Sequence, residues 1–98
     1  MKLGNSQKQH LRGLGHHLKP VVMTGKSGLT TALFDELGVA LAQHELIKVR
    51  VNAADRDARQ KMIGELTEQS GSTLVQHVGH TILLYKKSPD KPKIQLPK

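Results

Sequence analysis

The chain has 98 residues, the length of one domain with a single hydrophobic core. Lys and Arg number 15 against 8 acidic residues, so the formal net charge is +7, a bias common in proteins that bind polyanions. The absence of Cys excludes a disulfide framework, a thiolate metal site and a cysteine nucleophile. No run approaches the roughly 20 apolar residues of a membrane span, and the N-terminus lacks the apolar stretch of a signal peptide. We therefore expect a cytoplasmic protein that does not enter a membrane.

The first periodic segment predicts a helix. Ser6 is its candidate N-cap, and Gln9 completes an S-x-x-Q capping box. Leucines recur at helical spacing and form the candidate buried face: Leu11, Leu14 and Leu18. A basic stripe lies about a quarter-turn away and consists of Lys8, Arg12, His16 and Lys19. Gly13 and Gly15 each cost about 1 kcal/mol relative to Ala, so this helix has to be held by packing.

A strand and a second helix follow. Pro20 opens the short apolar run Val21 to Met23, whose length and β-branched content predict a buried strand. Thr30 or Thr31 can cap the next helix. The apolar stripe of that helix consists of Leu33, Leu37, Ala40 and Leu41.

The segment from Leu46 to Val51 changes to a period of two, which predicts a second strand. Its apolar face carries Ile47, Val49 and Val51. Its other face carries Lys48 and Arg50. This strand is expected to have one dry face and one cationic face.

A third helix and a hairpin complete the regular elements. Asp55 is the candidate cap of the helix, and Gly71 fits its C-terminal stop. The core stripe of this helix consists of Ala58, Met62, Ile63 and Leu66. Two strand-like runs, Thr73 to Val78 and Thr81 to Lys87, are joined by Gly79-His80, a connection typical of an antiparallel hairpin.

The predicted fold class is α/β, in the order α-β-α-β-α-β-β. Strand-helix-strand units favour parallel neighbours, and the hairpin adds an antiparallel pair, so we expect a four-stranded mixed sheet with the two crossover helices on one face. Residues 1–87 are assigned to the domain. Residues 88–98, rich in Pro and Lys, are expected to form an extended, mobile tail that is either inert or makes extra phosphate contacts.

The turn Gly25-Lys26-Ser27-Gly28 is the most informative motif, because it lies between a strand end and a helix start. Backbone amides and the helix dipole point outward there, a glycine at each end admits a phosphate, Lys26 adds charge and Ser27 can donate a hydrogen bond. KH domains hold nucleic-acid backbones with a G-x-x-G loop of this kind. An ordinary glycine-rich turn is the alternative. The P-loop pattern fails at Pro20, where it requires glycine, so no nucleotide is expected.

The basic residues add to the case for the loop. The candidate contacts are Lys8, Arg12 and Lys19 of the first helix and Lys48 and Arg50 of the second strand. A merely solvated face is the alternative reading. Because loop, stripe and net charge agree, we favour a nucleic-acid-binding surface.

Other chemistry finds little support in the residues. The six histidines lack ligand-like spacing, so no metal or other cofactor is expected, and no set of Ser, His and Asp suggests an enzyme. Phe34 and Tyr85 are the only aromatic residues besides histidine. Stacking on aromatic rings therefore cannot dominate, and backbone and shape contacts with structured RNA are the more consistent mode.

Three blocks in a fixed order are the most specific parts of the sequence: Leu18 to Val22 with Gly25 to Thr30, His44 to Val51, and Val78 to Thr81 with Leu84-Tyr85. In these blocks the chain resembles the CRM domain family, named for chloroplast RNA splicing and ribosome maturation, in its stand-alone bacterial form. The resemblance implies a fold like the C-terminal domain of translation initiation factor three. It also implies RNA binding through the G-x-x-G loop and association with precursors of the large ribosomal subunit.

The resemblance adds Lys86 to the candidate RNA contacts, at a position where plant relatives carry Arg. Lysine keeps the charge of that position but loses the bidentate fork. We expect a monomer that binds structured RNA of the large-subunit precursor. The alternative from another class is an adaptor that docks an acidic protein through the same cationic surface.

Overall fold

The computed structural model describes residues 3–25, 27–90 and 92–97. Lys26, a predicted loop residue, lies outside them. The described residues form three helices and four strands in the order α1, β1, α2, β2, α3, β3 and β4. The helices are α1 (Asn5–Gly15), α2 (Thr31–His44) and α3 (Arg56–Ser70). The strands are β1 (Pro20–Met23), β2 (Leu46–Arg50), β3 (Thr73–Val78) and β4 (Thr81–Tyr85).

The four strands form one mixed sheet with the spatial order β1-β2-β4-β3. β1 and β2 are parallel, whereas β4 is antiparallel to both β2 and β3. Gly79 begins the tight turn of the β3–β4 hairpin with φ +59°, a conformation that favours glycine. The predicted fold class and the predicted hairpin are confirmed.

The sheet separates two apolar layers. The larger layer joins α2 and α3 to one sheet face, so the prediction that the crossover helices share a face is confirmed. It contains Val22, Leu33, Leu37, Leu41, Ile47, Val49, Val51, Ile63, Leu66, Ile82 and Leu84. The smaller layer places α1 on the opposite face. It contains Leu3, Leu11, Leu46, Val75, Leu83 and Tyr85.

Helix caps agree with the sequence in α2 and α3 but not in α1. Thr30 Oγ1 accepts a hydrogen bond from the Leu33 N–H at 3.1 Å, and Asp55 Oδ1 accepts one from the Ala58 N–H at 2.8 Å. Gly71 ends α3 with φ +71°. The Ser6 cap is wrong, because α1 begins earlier, with Gly4 as its N-cap. There the Gly4 N–H donates to the side chain of Gln7 at 3.0 Å.

The apolar face predicted for the first helix is only partly correct. Leu11 is fully buried, but Leu14 and Leu18 are exposed by 45% and 37%. The prediction of a buried strand also needs correction, since Val22 is buried in β1 whereas Val21 and Met23 are exposed. The reason is shared: β1 is an edge strand, and α1 ends at Gly15, before it can cover the sheet near β1.

The described residues after Lys87 lie against the domain, whereas the sequence predicted an extended, mobile tail. It has no regular secondary structure, but Ile94 and Leu96 pack against the layer beneath α1. The buried carboxylate of Glu45 accepts backbone hydrogen bonds from Ser88, Lys93 and Ile94 at 2.6, 2.6 and 2.8 Å. The division into a domain and a tail stays a prediction.

Candidate nucleic-acid interface

A groove of about 910 Å³ lies between the end of α1 and the uncovered part of the sheet. Three of the predicted basic contacts line it: Arg12, Lys19 and Lys48. His16 and His17, from the turn between α1 and β1, line the same groove. The floor includes residues from β4 and β3, among them Thr81 and Gln76. The groove therefore brings cations from separate parts of the chain together over a sheet surface that carries both polar and apolar side chains.

Local sequence explains how these cations reach the groove. The alternation of β2 turns Ile47 and Val49 into the larger core, so Lys48 and Arg50 face the side of the sheet that carries α1. The prediction that this strand has one buried apolar face and one cationic face is confirmed. At Gly15 the helix lies directly on β4, because a Cβ there would meet Leu83 at 2.7 Å. Because the end of α1 is this close to the sheet, the turn after α1 and Lys48 lie at the same groove.

The G-x-x-G turn is open on its outer side. The Gly28 N–H donates to the Gly25 carbonyl at 3.1 Å, and Gly28 has φ +71°, which favours glycine. No described atom lies within 4 Å of the position that a Cβ would occupy at either glycine, and Ser27 is exposed. Glu36 of α2 lines the shallow hollow beside the turn. The turn is not filled by neighbouring side chains, and an acidic group stands at one side of it.

Hydrogen bonds between Thr24 and Asn52 hold the base of this turn, and sequence reasoning missed them. The Asn52 N–H donates to Thr24 Oγ1 at 2.8 Å, and Asn52 Nδ2 donates to the Thr24 carbonyl at 3.0 Å. Asn52 Oδ1 also accepts a hydrogen bond from Arg50 Nε at 3.3 Å. This clamp connects the ends of β1 and β2 and orients Arg50. The available signal was a polar residue directly after each apolar strand.

The remaining predicted contacts do not join the groove. Lys8 is half-buried on α1, one turn of helix before Arg12, and is not among the residues that line the groove. Lys86 follows β4 at the end of the sheet opposite the G-x-x-G turn. Its Nζ donates to the carbonyl of Ser70 at 2.9 Å, which satisfies an acceptor at the C-terminus of α3. The structure thus gives Lys86 a local structural role.

Neither a metal-binding cluster nor a membrane-spanning helix occurs among the described residues. Within residues 3–25, 27–90 and 92–97, no three His, Cys, Asp or Glu side chains come together in a way that could hold a metal ion. None of the helices in this part of the chain is long and apolar enough to span a bilayer.

Fold and groove together define a small α/β protein with one cationic sheet face. Residues 3–86 match the CRS1/YhbY (CRM) domain, and the chain belongs to this family. A Haemophilus influenzae protein named RNA-binding protein is 47% identical over 98% of this chain and 96% of its own length. Probable RNA-binding protein YqeI of Bacillus subtilis is 38% identical over 97% of this chain and 99% of its own length.

A solved structure has the same fold. The solution structure of a hypothetical protein from Staphylococcus aureus is 33% identical and superimposes with a TM-score of 0.82. The match covers 98% of this chain and 100% of that protein. The overall fold of this chain has therefore been determined experimentally in a relative.

Proposed function

We propose that this protein binds RNA without catalysing a reaction and associates with precursors of the large ribosomal subunit. The observation that carries the proposal is the groove in which Arg12, Lys19 and Lys48 converge beside an open sheet face. Cations from α1, from the connection before β1 and from β2 at one surface suit a chain of phosphates better than a single small anion. The names of the bacterial relatives support RNA as the ligand class.

The G-x-x-G turn is proposed as the second contact. Its open outer side gives a phosphate access to the main chain, and Arg50 stands at the end of the neighbouring strand. Phosphate contacts of this kind fix the position of RNA on the protein. Association with ribosome precursors makes the cytoplasm the expected compartment.

Sedimentation of a cell lysate at low salt tests the ribosomal role. We expect the protein to migrate with a precursor of the large subunit and to leave those fractions after ribonuclease treatment. A protein that stays in the soluble fractions at every salt concentration contradicts the ribosomal role. A complex that survives ribonuclease supports an adaptor for an acidic protein instead.

A further inference from the structure

One row of side chains crosses the sheet beyond the end of α1. Met23, Arg50, Thr81 and Val78 are successive cross-strand partners on β1, β2, β4 and β3. Directly paired residues point to the same side of a sheet, so all four face the side that carries the groove. Met23 and Val78, at the two ends of the row, are exposed by 60% and 64%. The row is therefore an open strip with a cation near its centre.

This row connects the two proposed phosphate contacts. Thr81 and Val78 line the cationic groove, and Met23 lines the hollows on both sides of the G-x-x-G turn. An RNA strand that runs from the groove to the turn has to cross the row. Isolated apolar residues on a surface are common. Here, however, two of them lie in the same row as an arginine, on the path between the two proposed phosphate contacts.

Arg50 is held in place at this position. Its Nε donates to Asn52 Oδ1 at 3.3 Å, and Asn52 is itself bound to Thr24. A guanidinium group is planar and stacks on nucleobases as well as pairing with phosphates. An anchored arginine loses less side-chain entropy on binding than a free one.

We propose that the row Met23, Arg50, Thr81 and Val78 is a platform for unpaired RNA bases. The inference rests on the proposed function, because it takes RNA as the ligand. Three strand spacings give the row a length of about 14 Å. A four-stranded sheet of that breadth presents two or three bases in RRM domains, where aromatic side chains provide the stacking surface. In this protein, the guanidinium of Arg50 and the aliphatic side chains at the ends of the row provide the surface on which bases lie.

The platform predicts a preference that phosphate contacts alone do not produce. Bases in an RNA duplex are stacked on their neighbours and cannot lie flat on a sheet, whereas the bases of a single strand can. The apolar ends of the row should therefore contribute to binding of single-stranded RNA and not to binding of duplex RNA. The scarcity of aromatic residues predicted contacts with the backbone and shape of RNA. The platform adds contacts with unpaired bases.

The test compares two RNA probes and one double variant. The probes are a single strand of about 12 nucleotides without self-complementarity and the duplex that it forms with its complement. Met23→Ser with Val78→Ser removes apolar surface without changing the charge. We expect this variant to bind the single strand about five- to tenfold more weakly, because two apolar contacts with bases are lost, with unchanged affinity for the duplex. The salt dependence of binding should stay as in the wild type.

Val39→Ser is the matched control, because Val39 is exposed by 58% on α2, which packs on the other sheet face. It should leave both affinities unchanged. If the double variant binds the single strand like the wild type, or weakens both probes equally, the platform is overturned while RNA binding stands. A wild-type protein that binds neither probe overturns the proposed function as well.

A second measurement uses the wild-type protein and does not depend on how the variant folds. In methyl-resolved NMR, the signals of Met23 and Val78 should shift when the single-stranded probe is added, and those of Val39 should not. Shifts confined to residues of the groove, with Met23 and Val78 unaffected, overturn the platform.

Discussion

Gly25 is the position in the G-x-x-G turn at which a substitution tests binding without disturbing the fold. Its φ is not positive, and no described atom lies within 4 Å of the position of a Cβ, whereas Gly28 requires φ +71°. Gly25→Glu adds bulk and negative charge where a phosphate is proposed to lie. We expect RNA affinity to fall at least about tenfold, as like charges repel. The melting temperature should change little.

The control for this substitution is Gly25→Ala, which adds one methyl group and no charge. It should keep most of the RNA affinity. Unchanged affinity in Gly25→Glu, measured by fluorescence anisotropy with a labelled RNA, removes the turn from the proposed interface. A large loss of thermal stability in that variant contradicts the description of the turn as open.

Glu45 holds the end of the chain on the domain. Its backbone has φ +61°, which side-chain-bearing residues rarely adopt, and its buried carboxylate accepts three backbone N–H groups. Burial by itself raises the pKa of Glu45, but these hydrogen bonds and the charge of Lys93 outweigh burial and hold the pKa below its ordinary value of 4.5. The backbone N–H groups of the tail thus bind the ionised form of the Glu45 carboxylate.

The lowered pKa of Glu45 predicts how stability depends on pH. The folded protein binds this proton less readily than the unfolded chain, so the ionised carboxylate stabilises the fold above the ordinary pKa of 4.5. That contribution is lost as the pH falls through the lowered pKa. Glu45→Gln should cost about 1 to 3 kcal/mol at neutral pH, because one amide N–H₂ then faces a backbone donor.

Chemical denaturation at several pH values measures this effect. The difference in unfolding free energy between the wild type and Glu45→Gln should shrink on acidification. Amide hydrogen exchange at Ser88, Lys93 and Ile94 should be faster in the variant. A difference that stays constant down to the acid limit contradicts the assigned role of the carboxylate.

Tyr85 carries a buried hydroxyl for which the described residues provide no hydrogen-bond partner. Burial, and then the negative charge of Glu45, raise the pKa of this hydroxyl above its ordinary value of 10.0. Removal of an unpaired buried polar group is expected to be neutral or stabilising. Tyr85→Phe should therefore leave the unfolding free energy unchanged or raise it by up to about 1 kcal/mol. The measurement is the denaturant concentration at the midpoint of unfolding, which should be equal or higher. A clear loss of stability shows that the hydroxyl does have a partner.

At the scale of single elements, α1 offers a matched pair of glycines. A Cβ at Gly13 meets nothing within 4 Å, whereas one at Gly15 meets the buried side chain of Leu83 at 2.7 Å. Gly13→Ala should raise the unfolding free energy by about 0.5 to 1 kcal/mol, since alanine favours the helix. Gly15→Ala should lower it by about 1 to 3 kcal/mol, because α1 has to move away from the sheet.

Thermal unfolding followed by circular dichroism compares the two variants directly. Opposite signs confirm that α1 is held by its contact with β4. If both substitutions stabilise the protein, Leu83 has room to adjust and the approach at Gly15 is less tight than described. The sequence predicted that this helix depends on packing, but both glycines looked alike in it.

At the scale of the whole molecule, the cationic groove predicts a salt dependence that is assigned to particular residues. Each phosphate that is neutralised contributes about 0.7 to 0.9 to the slope of log affinity against log salt. Lys48→Ala should lower the magnitude of that slope by about this amount. Lys61→Ala removes the same charge from α3, on the other sheet face, and should leave the slope unchanged. Equal effects of both substitutions mean that net charge, not the groove, governs binding.

Much of the fold was predictable because short-range sequence patterns, such as alternation in strands and caps of helices, determine it. The alternation of Ile47, Lys48 and Val49 identified a strand with two different faces, and Thr30 and Asp55 identified two helix starts. Of the predicted contacts, Arg12, Lys19 and Lys48 lie at one groove, whereas Lys86 contacts the end of α3, and the role of each in RNA binding stays a prediction. The sequence could not distinguish these placements, because charge alone does not tell which carbonyl or groove a lysine reaches.

The sequence by itself determined the order of the elements, most of their boundaries and which side of β2 is apolar, since caps and periodicity act between residues a few positions apart. Only the tertiary structure decided that α1 lies opposite α2 and α3, that Thr24 is clamped to Asn52, and that the tail returns to Glu45. Each of these depends on contacts between residues far apart in the chain. Periodicity indicates that a surface needs covering, but not which segment covers it, and α1 leaves the row from Met23 to Val78 open.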